Sequence, residues 1–266
     1  AGEGIYAAAS PDGRVERVVE KSGKPEARVV YDGDSKVIWS LVPHPRGGVL
    51  AALGQPGGVV WIHADGSAQS LLDQSGSHIL SVWASEDGVV YAGSGAQGTV
   101  FRIEGGKARV LAQVPHPEVR ALVGGDSGNI YVLATRGNDA PVTENPAGAN
   151  GPTLEVKREQ KGAGALYEIS PQGAIREIWR QEQAYLYTMV RDEAGAFWIG
   201  TGNQGQVFRV SATGAAELVC QTDSAQVTGL LPMGDGWLVV GNNSASLAHL
   251  STREVSAGSF ESRIYD

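Results

Sequence analysis

Residues Gly88–Ile103 read GVVYAGSGAQGTVFRI, and 107 positions later Gly195–Val210 read GAFWIGTGNQGQVFRV. Each copy is a short β-branched and aromatic run, a glycine-rich turn and a second such run, which is the pattern of two antiparallel strands joined by a tight connection. Laid along the rest of the chain, this unit finds further copies. The small residue in the apolar run preceding it is Ser81 of ILSVW. Its counterparts are Ser40 in IWSLV, Ala121 in VRALV, Thr188 in LYTMV and Gly229 in VTGLL, at separations of 41, 40, 67 and 41 residues. Three separations agree on one period, and the fourth is one period plus an insertion of 26. Each unit resolves into four short strands, and four strands per roughly 40 residues is the signature of a β-propeller blade.

The predicted fold is therefore all-β, a propeller of about six four-stranded antiparallel blades over residues 5–35, 37–76, 79–117, 119–183, 186–224 and 227–265. Blade one starts with Ile5–Ala9, followed by Arg14–Val18 and Ala27–Tyr31, so it lacks its innermost strand. The outer strand of blade six is expected from Ser259–Tyr265. A propeller protects its sheet edges, so the absent strand is expected from polypeptide upstream of Ala1, or else from the tail folding back. The insertion falls at 136–163 in blade four. It holds three prolines, four glycines and eight charged residues, too few apolar anchors to order itself, and is expected to be a mobile loop. In a four-stranded meander it emerges on the face that carries the second-to-third-strand turns, beside the mouth of the central channel.

Composition excludes several classes. The chain has 266 residues, 37 of them glycine, and a formal net charge of −8. Apart from Lys157-Arg158 it has no basic cluster, so no nucleic-acid footprint is expected. No apolar run nears the ~20 residues that span a bilayer, so no membrane insertion is expected. The chain opens on Ala1-Gly2-Glu3-Gly4 without the charged and apolar run of a secretion signal, which suits a mature secreted protein or an excised domain equally. The single cysteine, Cys220, lies in an apolar run and reads as a small core hydrophobe.

Apparent catalytic motifs dissolve in register. Gly93–Gly98 and Gly200–Gly205 match G-x-G-x-x-G, but a dinucleotide site needs a helix next, and TVFRI and QVFRV are strands. The glycines are expected to serve a turn of positive φ. Gly125-Asp126-Ser127-Gly128 resembles a serine-protease nucleophile loop, yet it aligns with Ser85–Gly88, a plain turn between the first two strands. Five histidines (His44, His63, His78, His116, His249) show no metal-ligand spacing, and His44 and His116 sit between prolines in loops. Glu86-Asp87 and Asp192-Glu193 are solvated turn pairs, unsuited to acid–base work.

What remains is the channel mouth. The residues entering the inner strands are Lys36, His78, Glu118, Tyr185 and Gln226, followed by Trp39, Leu80, Arg120, Tyr187 and Thr228. Neighbouring columns are uniformly apolar or small, whereas these change chemistry from blade to blade. One account is a set of solvated channel residues. The other is a pocket with Trp39, Tyr185 and Tyr187 as stacking walls and Lys36, His78 and Arg120 as donors to an anion.

The units LWIGT-like FWIGTGNQGQVFRV and VVYAGSGAQGTVFRI resemble repeats of two-component regulator-type propellers, and are similar to those of NHL and gluconolactonase/streptogramin-lyase-like propellers. Tyr6–Gly13 is similar to the YAAT-x-PDG unit of bacterial extracytoplasmic propeller proteins. The resemblance implies a periplasmic or secreted place and a role in sensing or protein interaction. Its enzymatic relatives hold a divalent metal in the channel through acidic and Asn side chains, and here the mouth column offers one carboxylate, Glu118. The expectation is thus a non-enzymatic binding or scaffolding module with no catalytic residue, no metal site and no cofactor, engaging a protein or a small polar or anionic ligand at the channel face. Its candidates are Lys36, Trp39, His78, Glu118, Arg120, Tyr185, Tyr187 and Gln226. The alternative is a metal-dependent lactonase- or lyase-type enzyme, with Ca²⁺ and contributions from Asp34 or Asp223.

Overall fold

A strand with one apolar face needs a partner sheet, and strands that are apolar on both faces need two. The second strands here read VLAAL, VYAGS and FWIGT, and all their residues are buried. Such strands can lie only in sheets stacked on both sides. The computed structural model, which describes residues 4–137 and 162–251, builds six such sheets. They are β1–β3 (Ile5–Ala9, Arg14–Lys21, Lys24–Asp32) and β4–β7 (Ile38–Pro43, Val49–Leu53, Gly57–Ile62, Ala68–Gln74). Next come β8–β11 (Ile79–Ala84, Val90–Ser94, Thr99–Glu104, Lys107–Gln113) and β12–β15 (Glu118–Gly124, Ile130–Arg136, Ala163–Ile169, Ile175–Gln181). The last are β16–β19 (Leu186–Arg191, Phe197–Thr201, Gln206–Val210, Ala216–Gln221) and β20–β22 (Gln226–Met233, Gly236–Asn242, Ser246–Ser251).

Every sheet is an antiparallel meander in chain order, and the whole is a six-bladed β-propeller. The predicted all-β class holds, as does the first blade with three strands. Its outer hairpin is longer than expected, because β2 and β3 continue to a tight turn at Ser22-Gly23, both at positive φ. In blade four, β13 and β14 pair through to Arg136↔Ala163, and Thr135 Oγ1 donates to the Ala163 carbonyl at 3.0 Å. The two ends of the expected insertion are therefore strand residues. Its interior lies outside the described residues, as does the expected outer strand at Ser259–Tyr265.

Each of the five seams from blade one through blade six has its own apolar core. Blades one and two meet at Val15, Val30, Ala51 and Ile62, and blades three and four at Val100, Val119, Val132 and Tyr167. Blades four and five meet at Leu133, Leu166, Phe197 and Ile199. Cys220 packs into the seam of blades five and six, where burial pushes its thiol up to about 11. Position by position, the ladder shows where this stacking stops. Val15, Val59, Val100, Leu166 and Val207 share one register position on the third strands, and each is 0% exposed. Leu247 holds that position in blade six and is 37% exposed. On the second strands, Val49, Val90, Ile130, Phe197 and Trp237 are buried, whereas Ile5 is 74% exposed. The uncovered surfaces thus face the seam between blades six and one, where the described residues include no inner strand for blade one.

Two outcomes follow. Leu166→Ala should cost about 3 kcal/mol of unfolding free energy by urea titration, because it opens a cavity in a closed seam, while Leu247→Ala at the same register position should cost under about 1 kcal/mol. Equal losses would contradict the open seam. Cys220 should resist a thiolate-seeking reagent at neutral pH until the chain is unfolded, since its raised pKa keeps it a thiol.

Candidate functional site

The mouth column has a backbone cause that its letters do not display. In every inner strand the ladder to the second strand slips by one residue: between Ile38 and Ser40, Ile79 and Ser81, Val119 and Ala121, Leu186 and Thr188, and Val227 and Gly229. The residues left without a ladder partner are Trp39, Leu80, Arg120, Tyr187 and Thr228, the second of the two variable columns. A β-bulge of this kind bends its strand and re-aims one side chain. Repeated five times, it presents one side chain per blade at the same height of the ring.

The entering residues are held at that height by a second repeated bond. The turn between second and third strands donates a backbone N–H to the carbonyl of the entering residue or its neighbour: Gly54 to Val37 at 2.7 Å, Gly95 to His78 at 2.8 Å and Gly202 to Tyr185 at 2.8 Å. These bonds place both connections on one face.

Side chains then meet between blades. Trp39 Nε1–H donates to His78 Nδ1 at 3.2 Å, with the rings edge-on at 5.9 Å, which puts the proton of the His78 ring on Nε2. Both Nε (3.0 Å) and Nη2 of Arg120 donate to one oxygen of Glu118. The same guanidinium lies 5.5 Å over the Tyr187 ring, within cation–π range. Tyr187 stacks on Tyr185 at 6.1 Å and accepts from Gln226 Nε2 at 3.4 Å. Burial pushes the Tyr187 phenol up, against an opposing pull from Arg120. The eight candidates thus resolve into a Trp39–His78 pair and a five-membered group of Glu118, Arg120, Tyr185, Tyr187 and Gln226. Lys36 stands apart, exposed, and among the described residues has no carboxylate partner. Leu80 is buried under Gly95 and gives the mouth nothing polar.

The glycines of the two G-x-G-x-x-G stretches have three separate causes. Only the last of each, Gly98 and Gly205, has positive φ (64° and 57°). A Cβ on the first, Gly93 or Gly200, would lie 2.3 or 2.6 Å from a Val119 or Val227 methyl of the next blade. A Cβ on the second would meet the mouth: at Gly202 it would sit 2.4 Å from Tyr187 Cε2, and at Gly95 3.2 Å from His78 Cβ. Turn geometry alone, the sequence expectation, accounts for one glycine in three. Strands β10 and β18 follow where a nucleotide site would need a helix.

Other sequence readings find their places. Asp126–Gly128 is a single 3₁₀ turn, and its Asp126 carboxylate takes Arg191 of the next blade at 2.9 Å. His44 and His116, read as loop residues, are buried; His116 shares a 2.7 Å hydrogen bond with the Tyr167 hydroxyl, whose pKa burial raises to about 12. A hard cation in the channel would want six or more oxygen ligands. The described mouth offers the Glu118 carboxylate, already taken by Arg120, and no group of three His, Cys, Asp or Glu comes together among the described residues. The donor set does not fit a divalent metal.

Fold and mouth together define a β-propeller with a polar-aromatic channel face. No family profile matches the chain, nor does any curated protein. Solved structures do resemble it. Virginiamycin B lyase from Staphylococcus aureus superposes with a TM-score of 0.66 at 14% identity, over 99% of this chain and 84% of that one. A chain of a nidogen/laminin complex gives 0.64 at 11%, over 91% and 87%. A putative gluconolactonase gives 0.57 at 14%, over 93% and 83%. At these identities the likeness concerns the fold alone: enzymes and a protein-binding partner share it.

Gly202→Ala should cost about 2 kcal/mol by overpacking against Tyr187. In a Tyr187→Ala background the same change should cost much less, and denaturant titration of the four proteins reads the coupling. An unchanged cost would show that the glycine serves something other than the mouth ring.

Proposed function

We propose that this propeller is a non-catalytic recognition module, placed in the periplasm or outside the cell, that holds a polar or anionic group of a protein or small ligand at its channel mouth. The observation that carries it is the bulge repeated in all five inner strands, which presents five chemically different side chains on one ring. Three of the candidates, Arg120, Tyr187 and Gln226, come from three successive blades and already touch. A surface assembled from many blades suits recognition, because each blade can vary its one residue without disturbing the ladder that holds it. Arg120 is the anchor: it has two N–H groups on Glu118 and its face on Tyr187, so an incoming carboxylate or phosphate can exchange with Glu118 without leaving the guanidinium unpaired. Tyr185 and Trp39 supply apolar area beside it.

A metal-dependent lactonase- or lyase-type enzyme is the other reading, favoured by the lyase and gluconolactonase among the neighbouring folds. It would need oxygen ligands beyond those the described mouth offers. Titration with Ca²⁺ or Mn²⁺ decides between the two. The recognition module should show no rise in melting temperature and no turnover of a test lactone with either metal. It should bind inorganic phosphate saturably, and Arg120→Ala should abolish that binding. A metal-dependent rise in melting temperature that disappears in Glu118→Ala and His78→Ala would sink the recognition reading in favour of the enzyme.

A further inference from the structure

On the face opposite the mouth, the apolar core of the seam between blades two and three stops short of the surface. A cavity of about 400 Å³ opens there, walled by His44, Arg46 and Trp61 of blade two and by Gly88, Val90 and Ile103 of blade three. Its volume falls in the range that takes a small ligand.

The ladder of blade two differs from its neighbours in this seam. In blades three, four and five, the residue pairs facing the next blade at this level are Trp83↔Tyr91, Val123↔Tyr131 and Val190↔Trp198. In blade two the same pair is Val42↔Leu50, which lacks the aromatic ring that the other three bring. The one large side chain nearby cannot swing in to fill the space. Trp61 is clamped between His44 (3.9 Å) and His63 (4.0 Å), and its Nε1–H is bonded to the Gly47 carbonyl at 2.9 Å. At that ladder position the sister blades carry Arg17, Arg102, Glu168, Arg209 and His249, and Arg102, Glu168 and Arg209 are tied into ion pairs.

The rim carries one guanidinium, Arg46, and two carboxylates, Asp87 and Glu104. Arg46 crosses the seam, lays its guanidinium against Gly88, and donates Nη2–H to the Asp87 carbonyl at 3.2 Å. Among the described residues it has no carboxylate partner. The acids nearby are otherwise engaged: Glu104 takes Arg102 at 2.9 Å, and Asp87 accepts from the Ser85 hydroxyl. His44 Nδ1 accepts the Arg46 backbone N–H at 3.1 Å, leaving its ring proton on Nε2 as a second donor. Burial first, then Arg46 and His63, holds His44 below the usual histidine range, so it is a neutral donor at neutral pH.

We propose that this cavity is a second ligand site, separate from the mouth, for a small organic carboxylate with a compact apolar body. The carboxylate lies on Arg46 and the body against Leu71, Val90 and Ile103. A guanidinium with unused N–H groups above an apolar floor selects for that combination, since a neutral isostere would leave the guanidinium without its charge-assisted partner.

Benzoate and its uncharged analogue benzamide test it, with ¹⁵N-resolved NMR titration of the whole chain. Benzoate should bind saturably in the millimolar range or tighter, with a set of shifts around Arg46, Leu71 and Val90 of blades two and three that titrates independently of any at the mouth. Benzamide, and benzoate on Arg46→Gln, should each bind about tenfold more weakly, the worth of one charge-assisted pair. Leu71→Phe should fill the cavity and abolish both. Arg120→Ala should leave the benzoate shifts of blades two and three unchanged, whatever it removes at the mouth, which separates this site from the recognition surface above. No saturable benzoate shifts in blades two and three, equal affinity for benzamide there, or an unaffected Arg46→Gln variant would each overturn the proposal. Arg46 is exposed and its replacement does not endanger the fold, so the Arg46→Gln arm stands even if Leu71→Phe fails to fold.

Discussion

Sheets buried on both faces cannot stand alone, and that constraint organises everything else in this molecule. The second strands of blades two, three and five are buried at every position, so those blades are stable only between two neighbours. Seam by seam, the 0% exposure of Val15, Val59, Val100, Leu166 and Val207 records the constraint being met. Leu247 and Ile5 record where, within the described residues, it is not. Closing that seam calls for a strand with the pattern of its five sisters, apolar then variable then small then apolar. The same stacking ties stability to function. The inner strands that line the channel are also the ones that lock consecutive blades, as when the Ser81 hydroxyl donates to the Val119 carbonyl of the next blade at 2.9 Å.

The blade count and strand order could be read in the sequence because both arise from periodicity. A 41-residue spacing survives the substitution of almost every letter, as Ser40, Ser81, Ala121, Thr188 and Gly229 illustrate. The mouth columns could be read for the opposite reason. They vary in chemistry while their neighbours do not, and that contrast marks positions released from packing. The bulge that sets those side chains apart could not be read. An extra residue shared by all five inner strands leaves the period unchanged, so it is silent in any comparison of one repeat with another.

Glycine shows the same limit at single residues. Gly93, Gly95 and Gly98 are one letter with three physical causes: a methyl of the next blade, a channel side chain, and a positive φ. Turn chemistry is local and predicts the third. The other two depend on atoms more than twenty residues away or on a side chain aimed by a bulge. His44 and His116 lie in connections, as their flanking prolines indicate, and both are buried there. Flanking prolines mark a connection correctly, but whether a connection is buried depends on what packs over it. Trp61 covers His44 and Tyr167 bonds His116.

Repetition also explains why a second site would appear where it does. In a ring of near-identical seams, a cavity arises wherever one copy of a large side chain is replaced by a small one, with no change to the backbone. Single seams stay thermodynamically tolerable because the neighbouring sheets are fixed by their other faces. The void therefore persists instead of collapsing, as it would between two free surfaces. The channel mouth depends on all blades at once and varies one residue per blade. A seam depends on two blades and can acquire a pocket without disturbing the ring. The two faces of the propeller are thus free to diverge independently, one as a composite surface and the other as a discrete cavity.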